Sequence, residues 1–150
     1  MIRVQENDFD TGAELKNLVG RNYKVGGLCS FVGLVRDFAG SDTVGGMTLE
    51  HYPAMTEKEL QKIDAEANKR WPLEASLIIH RYGRLEPGDQ IVLVATASAH
   101  RQDAFDSCQF LIDWLKTQAP FWKLEETNAG SQWVAARDSD YQRAQRWEKK

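Results

Sequence analysis

The chain has 150 residues, of which 42% are hydrophobic and 27% charged, a composition that suits one globular domain with a proper core. Its formal net charge of -3 argues against a broad nucleic-acid or membrane-surface binder, because such proteins usually carry a basic footprint. No apolar run approaches the roughly 18 residues that a membrane helix needs, and the N-terminus lacks a signal-peptide pattern. We therefore expect a single cytoplasmic domain over residues 1–150, with neither nucleic acid nor membrane as a partner.

The first third of the chain predicts one helix followed by two strands. A short helix spans residues 10–20 and ends at Gly20. Residues 23–36 are rich in Val, Phe and Leu and predict a strand, with glycines that suggest a bulge or a close backbone approach. Residues 36–46 predict a loop, and the alternation of apolar and polar residues over 47–52 predicts a partner strand.

The middle of the chain predicts a capped helix and a strand pair. Thr56 and Glu59 form a capping box, with Thr56 as N-cap and Glu59 at N3, and Pro72 ends the helix. Residues 75–99 predict two strands joined by a type II turn over residues 86–89, because proline and glycine occupy its two central positions.

The last third predicts a long helix, a hairpin and a short terminal helix. The long helix runs from about His100 to Ala119, and the hairpin pairs residues 121–126 with 132–137. Residues 139–147 predict the terminal helix. Because strands come in hairpin-linked pairs between helices, the order of elements predicts an α+β domain with largely antiparallel sheets.

Cysteine and histidine residues indicate neither a disulfide framework nor a metal site. Cys29 and Cys108 each stand in an apolar stretch, so we expect two buried, reduced thiols. His51 and His80 fall in predicted strands, and neither stands at metal-ligand spacing from a cysteine or a second histidine. We expect both histidines to be structural, and we predict no metal and no cofactor.

Two lysines stand on either side of a proline in the segment LKTQAPFWK, residues 115–123. Pro120 has no amide hydrogen to donate to the carbonyl of Lys116, so the helix must end near it. Lys116 then lies in the last helical turn, and Lys123 lies on the following strand. A tight corner between the two elements would bring both ammonium groups to one site, with Phe121 and Trp122 buried to hold it. The plainer alternative is a helix C-terminal cation and an exposed strand lysine.

Two other stretches supply candidate anion-binding groups. His100 and Arg101 stand where a strand ends and a helix begins, and a helix N-terminus offers free amides to an anion. Arg36 leaves a strand into a polar loop, and an arginine fork suits phosphate. The alternatives are a surface ion pair for Arg36 and a structural helix cap for His100.

These stretches together resemble the catalytic (large) subunit family of molybdopterin synthase. The resemblance covers about residues 23–147. The segments that carry it are FVGLVRD (31–37), LEHYPAMTEKEL (49–60), HRYGRLEPGD (80–89), SAHRQDAF (98–105), LKTQAPFWKLE (115–125) and WVAAR (133–137).

The resemblance implies a sulfurtransferase of molybdenum cofactor biosynthesis. A small ubiquitin-like subunit would carry sulfur as a thiocarboxylate on its C-terminal glycine and insert its tail into a pocket of this chain. Two sulfurs would be added to cyclic pyranopterin monophosphate, which opens the cyclic phosphate and forms the dithiolene of molybdopterin. The implied fold is of the α/β hammerhead type with an added small sheet, and two large subunits would form a dimer within a heterotetramer.

The charges of these residues suit the implied chemistry, and we hypothesise a role for each. Lys116 and Lys123 would be catalytic: Lys116, nearest the thiocarboxylate carbonyl, would stabilise the oxyanion or shuttle a proton, and Lys123, on the pterin side, would assist the leaving oxygen. Arg137 would help to hold phosphate and pterin, in its own pocket or in that of a neighbouring subunit. Glu125 points to the same side of the strand as Lys123, and it either orients that lysine through an ion pair or forms a plain surface pair. The full set of expected substrate-binding residues is Leu34, Val35, Arg36, His100, Arg101, Lys116, Lys123, Leu124, Glu125 and Arg137.

Two other functions are compatible with parts of the sequence. A non-catalytic docking module for a ubiquitin-like tail would use the same groove, with the lysines pairing with the tail carboxylate. Such a module has no need of the cluster of Arg36, His100 and Arg101, which therefore favours an enzyme. A single-stranded RNA binder would use Trp122 and Trp133 as stacking platforms, but the acidic charge balance argues against it.

Overall fold

The computed structural model describes residues 1–39, 42–127, 130–134 and 138–148. These residues form four helices and nine strands, in an order that alternates helices with groups of strands. The strands are β1 (Ile2–Gln5), β2 (Gly27–Leu34), β3 (Phe38–Ala39), β4 (Asp42–His51), β5 (Leu73–Arg81), β6 (Gly83–Leu85), β7 (Gln90–Ser98), β8 (Phe121–Thr127) and β9 (Gly130–Val134). The helices are α1 (Thr11–Val19), α2 (Pro53–Arg70), α3 (Arg101–Gln118) and α4 (Asp138–Gln145).

The first sheet has the strand order β1-β5-β7-β2, and only the β1–β5 pair is parallel. Alternate residues of β5 and β7 point to opposite faces, so each face has its own core. Helices α2 and α3 cover one face, where Leu60, Ile63, Ile78, Val94 and Leu111 pack together. Helix α1 covers the other face, over Phe9, Leu77, Ile79, Leu93 and Ala95.

The second sheet has the order β3-β4-β8-β9, with β6 also paired to β4. All of its pairs are antiparallel. A small core of Val35, Met47, Leu49 and Leu85 lies against it. The predicted α+β class with largely antiparallel sheets is therefore confirmed.

Helix α2 begins three residues before the predicted N-cap, so the capping-box prediction is wrong. Tyr52 is the N-cap and Pro53 is the first helical residue, a position that suits the fixed φ of proline. The amide of Thr56 already donates to the carbonyl of Tyr52 at 2.8 Å, so Thr56 lies inside the helix. Its side chain is fully buried and shares a hydrogen bond of 3.2 Å with Nδ1 of His51.

The loop predicted over residues 36–46 is replaced in part by strand. Strand β3 pairs with the start of β4, and β4 continues through two glycines beside β8. A Cβ atom on Gly46 would lie 2.5 Å from a guanidinium nitrogen of Arg84, so the glycine admits this close approach. Tertiary pairing overrides the low strand propensity of glycine here.

Strand β1 was not predicted, because four residues give too short an alternation to identify. It adds to the edge of the sheet beside β5, with Ile2 opposite Ile78. The N-terminal ammonium group of Met1 donates to the carbonyl of Ser76 at 2.8 Å and fixes the register.

Two local predictions around the other strands are confirmed. The turn between β6 and β7 has Gly88 at φ 91°, and the amide of Asp89 donates to the carbonyl of Glu86 at 2.9 Å, as a type II turn requires. Strands β8 and β9 form the predicted hairpin. Residues 128–129 of its connection and residues 135–137 lie outside the described residues.

Both cysteines are free thiols, as predicted. Cys108 is buried, but Cys29 is half-buried, so the prediction that both are buried is wrong for Cys29. Helix α4 is held against α3 through a buried tryptophan, because Nε1 of Trp147 donates to the carboxylate of Asp113 at 2.8 Å. Arg70 of α2 donates to the carbonyl of Trp147 at 2.7 Å. No helix among the described residues is long and apolar enough to span a membrane.

Candidate active site

Pro120 forms the corner that the sequence predicts. Helix α3 ends at Gln118, and Ala119 is extended, so Lys116 occupies the last helical turn. Strand β8 begins at Phe121, directly after the proline, and Lys123 is its third residue. The two lysines are thus carried by two rigid elements that meet at one corner.

Both lysines are close enough to the buried His80 to affect its pKa. Burial lowers the pKa of His80 from 6.5 to about 3, while its hydrogen bond to the carbonyl of Arg81 acts in the opposite direction. The positive charges of Lys116 and Lys123 and the neighbouring ring of His51 each lower this pKa further. Two ammonium groups therefore lie near one buried, neutral imidazole.

The ring of His80 is held in a defined orientation and tautomer. Its Nδ1 lies 2.8 Å from the carbonyl oxygen of Arg81, which can only accept, so Nδ1 carries the proton and donates. The ring of Phe121 stacks on it, with ring centroids 3.7 Å apart and planes 15° apart. His80 is buried, as expected for a structural histidine.

Strand β8 presents its residues alternately to two faces. Phe121, Lys123 and Glu125 share one face, and Leu124 lies on the other, away from Lys123. Trp122 also lies on that other face and is 42% exposed, so the prediction that it is buried in the corner is wrong. Its ring instead makes an edge-on contact with Tyr52 at 4.7 Å.

Glu125 is a buried carboxylate rather than a member of a surface pair. Its exposed fraction is 8%, and its Oε2 atom has no hydrogen-bond partner among the described residues. It lies on the same strand face as Lys123, two residues further along β8. Unsatisfied buried polar atoms are rare and often mark positions that act on a ligand, so Glu125 remains in the predicted site.

Arg36 lies at the same end of the first sheet as the lysine corner. Strand β2 ends at Leu34, which pairs with Gln90 at the start of β7, and His80 pairs with Val92 close by. Because α3 follows β7 and runs back across the sheet, its last turn returns to this end. The side chain of Arg36 is exposed.

Leu34 and Val35, expected as substrate-binding residues, differ in their surroundings. Leu34 is 53% exposed beside Arg36. Val35 is 3% exposed and packs in the small core under the second sheet. Its amide donates to the carbonyl of Asp89 at 3.0 Å, so Val35 anchors the start of the Arg36 segment.

His100 and Arg101 lie at the opposite end of α3. His100 is the N-cap residue but makes no side-chain cap hydrogen bond, so its interpretation as a structural cap is wrong. Lys116 follows Arg101 by fifteen residues, which separates them by about 22 Å along the helix axis. One chain therefore does not bring these two residues together with its own lysine corner. Arg137 lies outside the described residues.

Glycines allow the start of β2 to pass close to the beginning of α3. A Cβ atom on Gly26 would lie 2.1 Å from the carbonyl oxygen of Ala99, and one on Gly27 would lie 3.2 Å from the Cα atom of Arg101. The amide of Gly26 donates to the carbonyl of Ser98 at 2.9 Å. The close approach predicted from the glycines of this strand is thus confirmed at its first residues.

Lys116 is one of the residues that line a cavity of about 460 Å³ between β2, α3 and α4. Apolar and charged groups both line it, which suits an extended chain that carries a negative end. Among its lining residues are Cys29, Phe31, Phe105, Ile112, Asp140 and Arg143. No cluster of three or more metal-ligating side chains occurs in the part of the chain that the structure describes.

The fold and this site define a class of α+β proteins with two largely antiparallel sheets and a cationic corner at the end of the last long helix. A family model described as MoaE protein matches residues 4–118. The chain belongs to the MoaE protein family.

Curated relatives match along almost the whole chain. The molybdopterin synthase catalytic subunit of Pseudomonas aeruginosa is 59% identical over 147 residues, which are 98% of this chain and 98% of that protein. The protein of the same name from Escherichia coli is 50% identical over 146 residues, which are 97% of each chain.

Solved structures of the family have the same fold. The molybdopterin biosynthesis MoaE protein of Burkholderia ambifaria has a TM-score of 0.84 and 55% identity, over 98% of this chain and 97% of that one. The molybdopterin synthase of Staphylococcus aureus has a TM-score of 0.82 and 30% identity, over 89% and 96%. The hammerhead-type fold that the resemblance implied is therefore confirmed.

Proposed function

We propose that this chain is the large subunit of a sulfurtransferase that converts cyclic pyranopterin monophosphate to molybdopterin. The observation that carries the proposal is the pair of lysines at the Pro120 corner, with Lys116 in the last turn of α3 and Lys123 near the start of β8. The relatives' shared name, molybdopterin synthase catalytic subunit, supports the same activity and a second subunit. A cytoplasmic location and a single domain over residues 1–150 stay predictions.

The second subunit in this proposal is a small ubiquitin-like protein with a C-terminal thiocarboxylate. Its extended tail would enter the cavity between β2 and α3 and bring the thiocarboxylate to Lys116. In each transfer the sulfur forms a bond to a carbon of the pterin side chain, and water takes its place on the acyl carbon. One transfer breaks a carbon–oxygen bond of the cyclic phosphate and leaves a phosphate monoester, and the other displaces the second side-chain oxygen as water. Together they leave a dithiolene, and each spent tail keeps a carboxylate.

The two lysines have separate tasks in this reaction. Lys116 faces the tail and stabilises the oxyanion that develops on the acyl carbon, because a fixed cation lowers the energy of that charge. Lys123 acts on the pterin and donates to the leaving oxygen. Glu125, buried on the same strand face as Lys123, is placed to orient that ammonium group.

The groups proposed to bind phosphate lie at the two ends of helix α3. Arg36 lies at the lysine end, whereas His100 and Arg101 lie about 22 Å away at the start of α3. A homodimer, which the family resemblance implied, would allow a second copy to supply the distant groups. Arg137 was proposed for such a role, and it stays a prediction.

Product formation tests this function directly. The isolated chain is mixed with cyclic pyranopterin monophosphate, and precursor binding is measured. Thiocarboxylated small subunit is then added, and molybdopterin is quantified. We expect both binding and product. A chain that binds the small subunit but neither binds the precursor nor forms product would instead be a docking module.

Arg36→Ala is expected to weaken binding of cyclic pyranopterin monophosphate about 10- to 100-fold, since a charge-assisted hydrogen bond contributes roughly 1.5–3 kcal/mol. The transfer rate at saturating precursor should change much less. Titration calorimetry with the intact chain measures the affinity. Arg21→Ala, an exposed arginine after α1, serves as the control. Unchanged affinity in Arg36→Ala would remove this residue from the phosphate site.

A further inference from the structure

The contact between His80 and Phe121 joins the two sheets at the lysine corner. His80 lies on the face of β5 that α2 and α3 cover, since it has the same parity as the core residue Ile78. Phe121 is the first residue of β8, in the other sheet. Their rings are nearly parallel at 3.7 Å, whereas every other aromatic contact of the described residues is tilted or edge-on.

This contact holds Phe121 in place, and Phe121 lies between the two lysines in the sequence. Phe121 follows Pro120 directly, and its amide donates to the carbonyl of Ala119 at 2.9 Å. Its neighbour on β4 is His51, whose ring lies 5.6 Å away. The stacked imidazole therefore limits how the end of α3 and the start of β8 move relative to each other.

The imidazole also adds no charge to the corner. Nδ1 donates to the backbone of Arg81, and burial keeps the ring neutral far below physiological pH. A flat, uncharged group is suited to this position, because a third cation would repel both ammonium groups. The ring is rigid and buried, so the packing around it keeps it against Phe121.

We infer that His80 is a positioning residue for Lys116 and Lys123, acting through its stack on Phe121. The inference deepens the proposed sulfur transfer and rests on it. It assigns catalytic importance to a side chain that touches neither substrate. Displacing a reacting group by about 1 Å can lower a rate about 100-fold, so a small change at the corner has a large effect on transfer.

Three variants of the full chain test the inference. His80→Leu removes the flat ring, His80→Phe keeps a flat, uncharged ring, and both lose the hydrogen bond to Arg81. Leu77→Ala is the matched control, because it truncates a buried residue of the same strand that faces α1 instead. The measurements are the single-turnover transfer rate with saturating small subunit and precursor, the affinity for the small subunit, and the fraction of folded protein.

We expect His80→Leu to transfer sulfur at least about tenfold more slowly per folded molecule, with its affinity for the small subunit unchanged within about twofold. His80→Phe should recover most of the rate, and Leu77→Ala should keep it. The inference is overturned if His80→Leu transfers sulfur as fast as Leu77→Ala per folded molecule, or if His80→Phe is as slow as His80→Leu. Failure of the proposed function itself would give a different result. The wild-type chain would then form no product, or Lys116→Ala and Lys123→Ala would transfer sulfur at a near-normal rate.

Discussion

Replacing either Lys116 or Lys123 by alanine is expected to lower the rate of sulfur transfer about 100-fold or more. Both side chains stand at the corner that Pro120 creates, on elements that the core holds rigidly. Removing one preorganised donor to a developing oxyanion lowers a rate about 100- to 1,000-fold, and loss of a general acid has a similar effect. The measurement is single-turnover formation of molybdopterin from pre-thiocarboxylated small subunit.

Charge-conserving and surface variants sharpen this test. Lys62→Ala changes an exposed lysine of α2 that pairs with Glu59 at 3.7 Å, and it should leave the rate unchanged. Lys123→Arg keeps the charge but transfers a proton poorly, so it should remain slow if Lys123 is a proton donor. Near-normal rates in both alanine variants would end the assignment of these lysines to catalysis.

The lysine corner could be predicted from the sequence because one residue dictates it. Pro120 lacks the amide that would continue α3, and the strand pattern after it places Lys123 on the next element. The turn before β7 could be predicted equally well, since proline and glycine at its centre allow few backbone conformations. Local chemistry decides such features before any long-range contact forms.

Other features depend on contacts that a single sequence does not display. Thr56 fits a capping box in the sequence, but Pro53 starts the helix earlier. The half-buried His51 shares a hydrogen bond with the buried threonine side chain instead. Glu125 matched a surface residue, yet pairing of β8 with β4 and β9 buries it. In each case a partner distant in sequence overrides the local pattern.

The role of His80 was also missed, although a signal for it was present. Its parity with Ile78 in an apolar strand predicts that it points into the core. That its neighbour there is Phe121, the residue after the corner, depends on how the two sheets pack. The distance between Arg101 and Lys116 could be predicted from the length of α3 alone, and it shows that one chain does not bring Arg101 to its own lysine corner.

Lowering the pH from 8 to 5 is expected to reduce the free energy of unfolding by about 2 kcal/mol through His80 alone. Its pKa is 6.5 when unfolded and about 3 when folded, so below pH 6.5 the unfolded chain binds a proton that the folded chain refuses. The contribution of the neutral ring is therefore fully present above pH 6.5 and is lost progressively as the pH falls toward 3. At pH 5 the loss has reached about 2 kcal/mol, because each pH unit below 6.5 removes about 1.4 kcal/mol until the folded imidazole is protonated too.

Urea unfolding of the wild-type chain and of His80→Phe at both pH values isolates this effect. His51 titrates in this range too, and burial lowers its pKa. The wild-type chain and His80→Phe share that group, so the difference between their pH dependences belongs to His80. The wild-type chain should lose about 2 kcal/mol more than His80→Phe. Equal losses would mean that the imidazole takes up a proton inside the folded protein, and the corner would then hold a third cation.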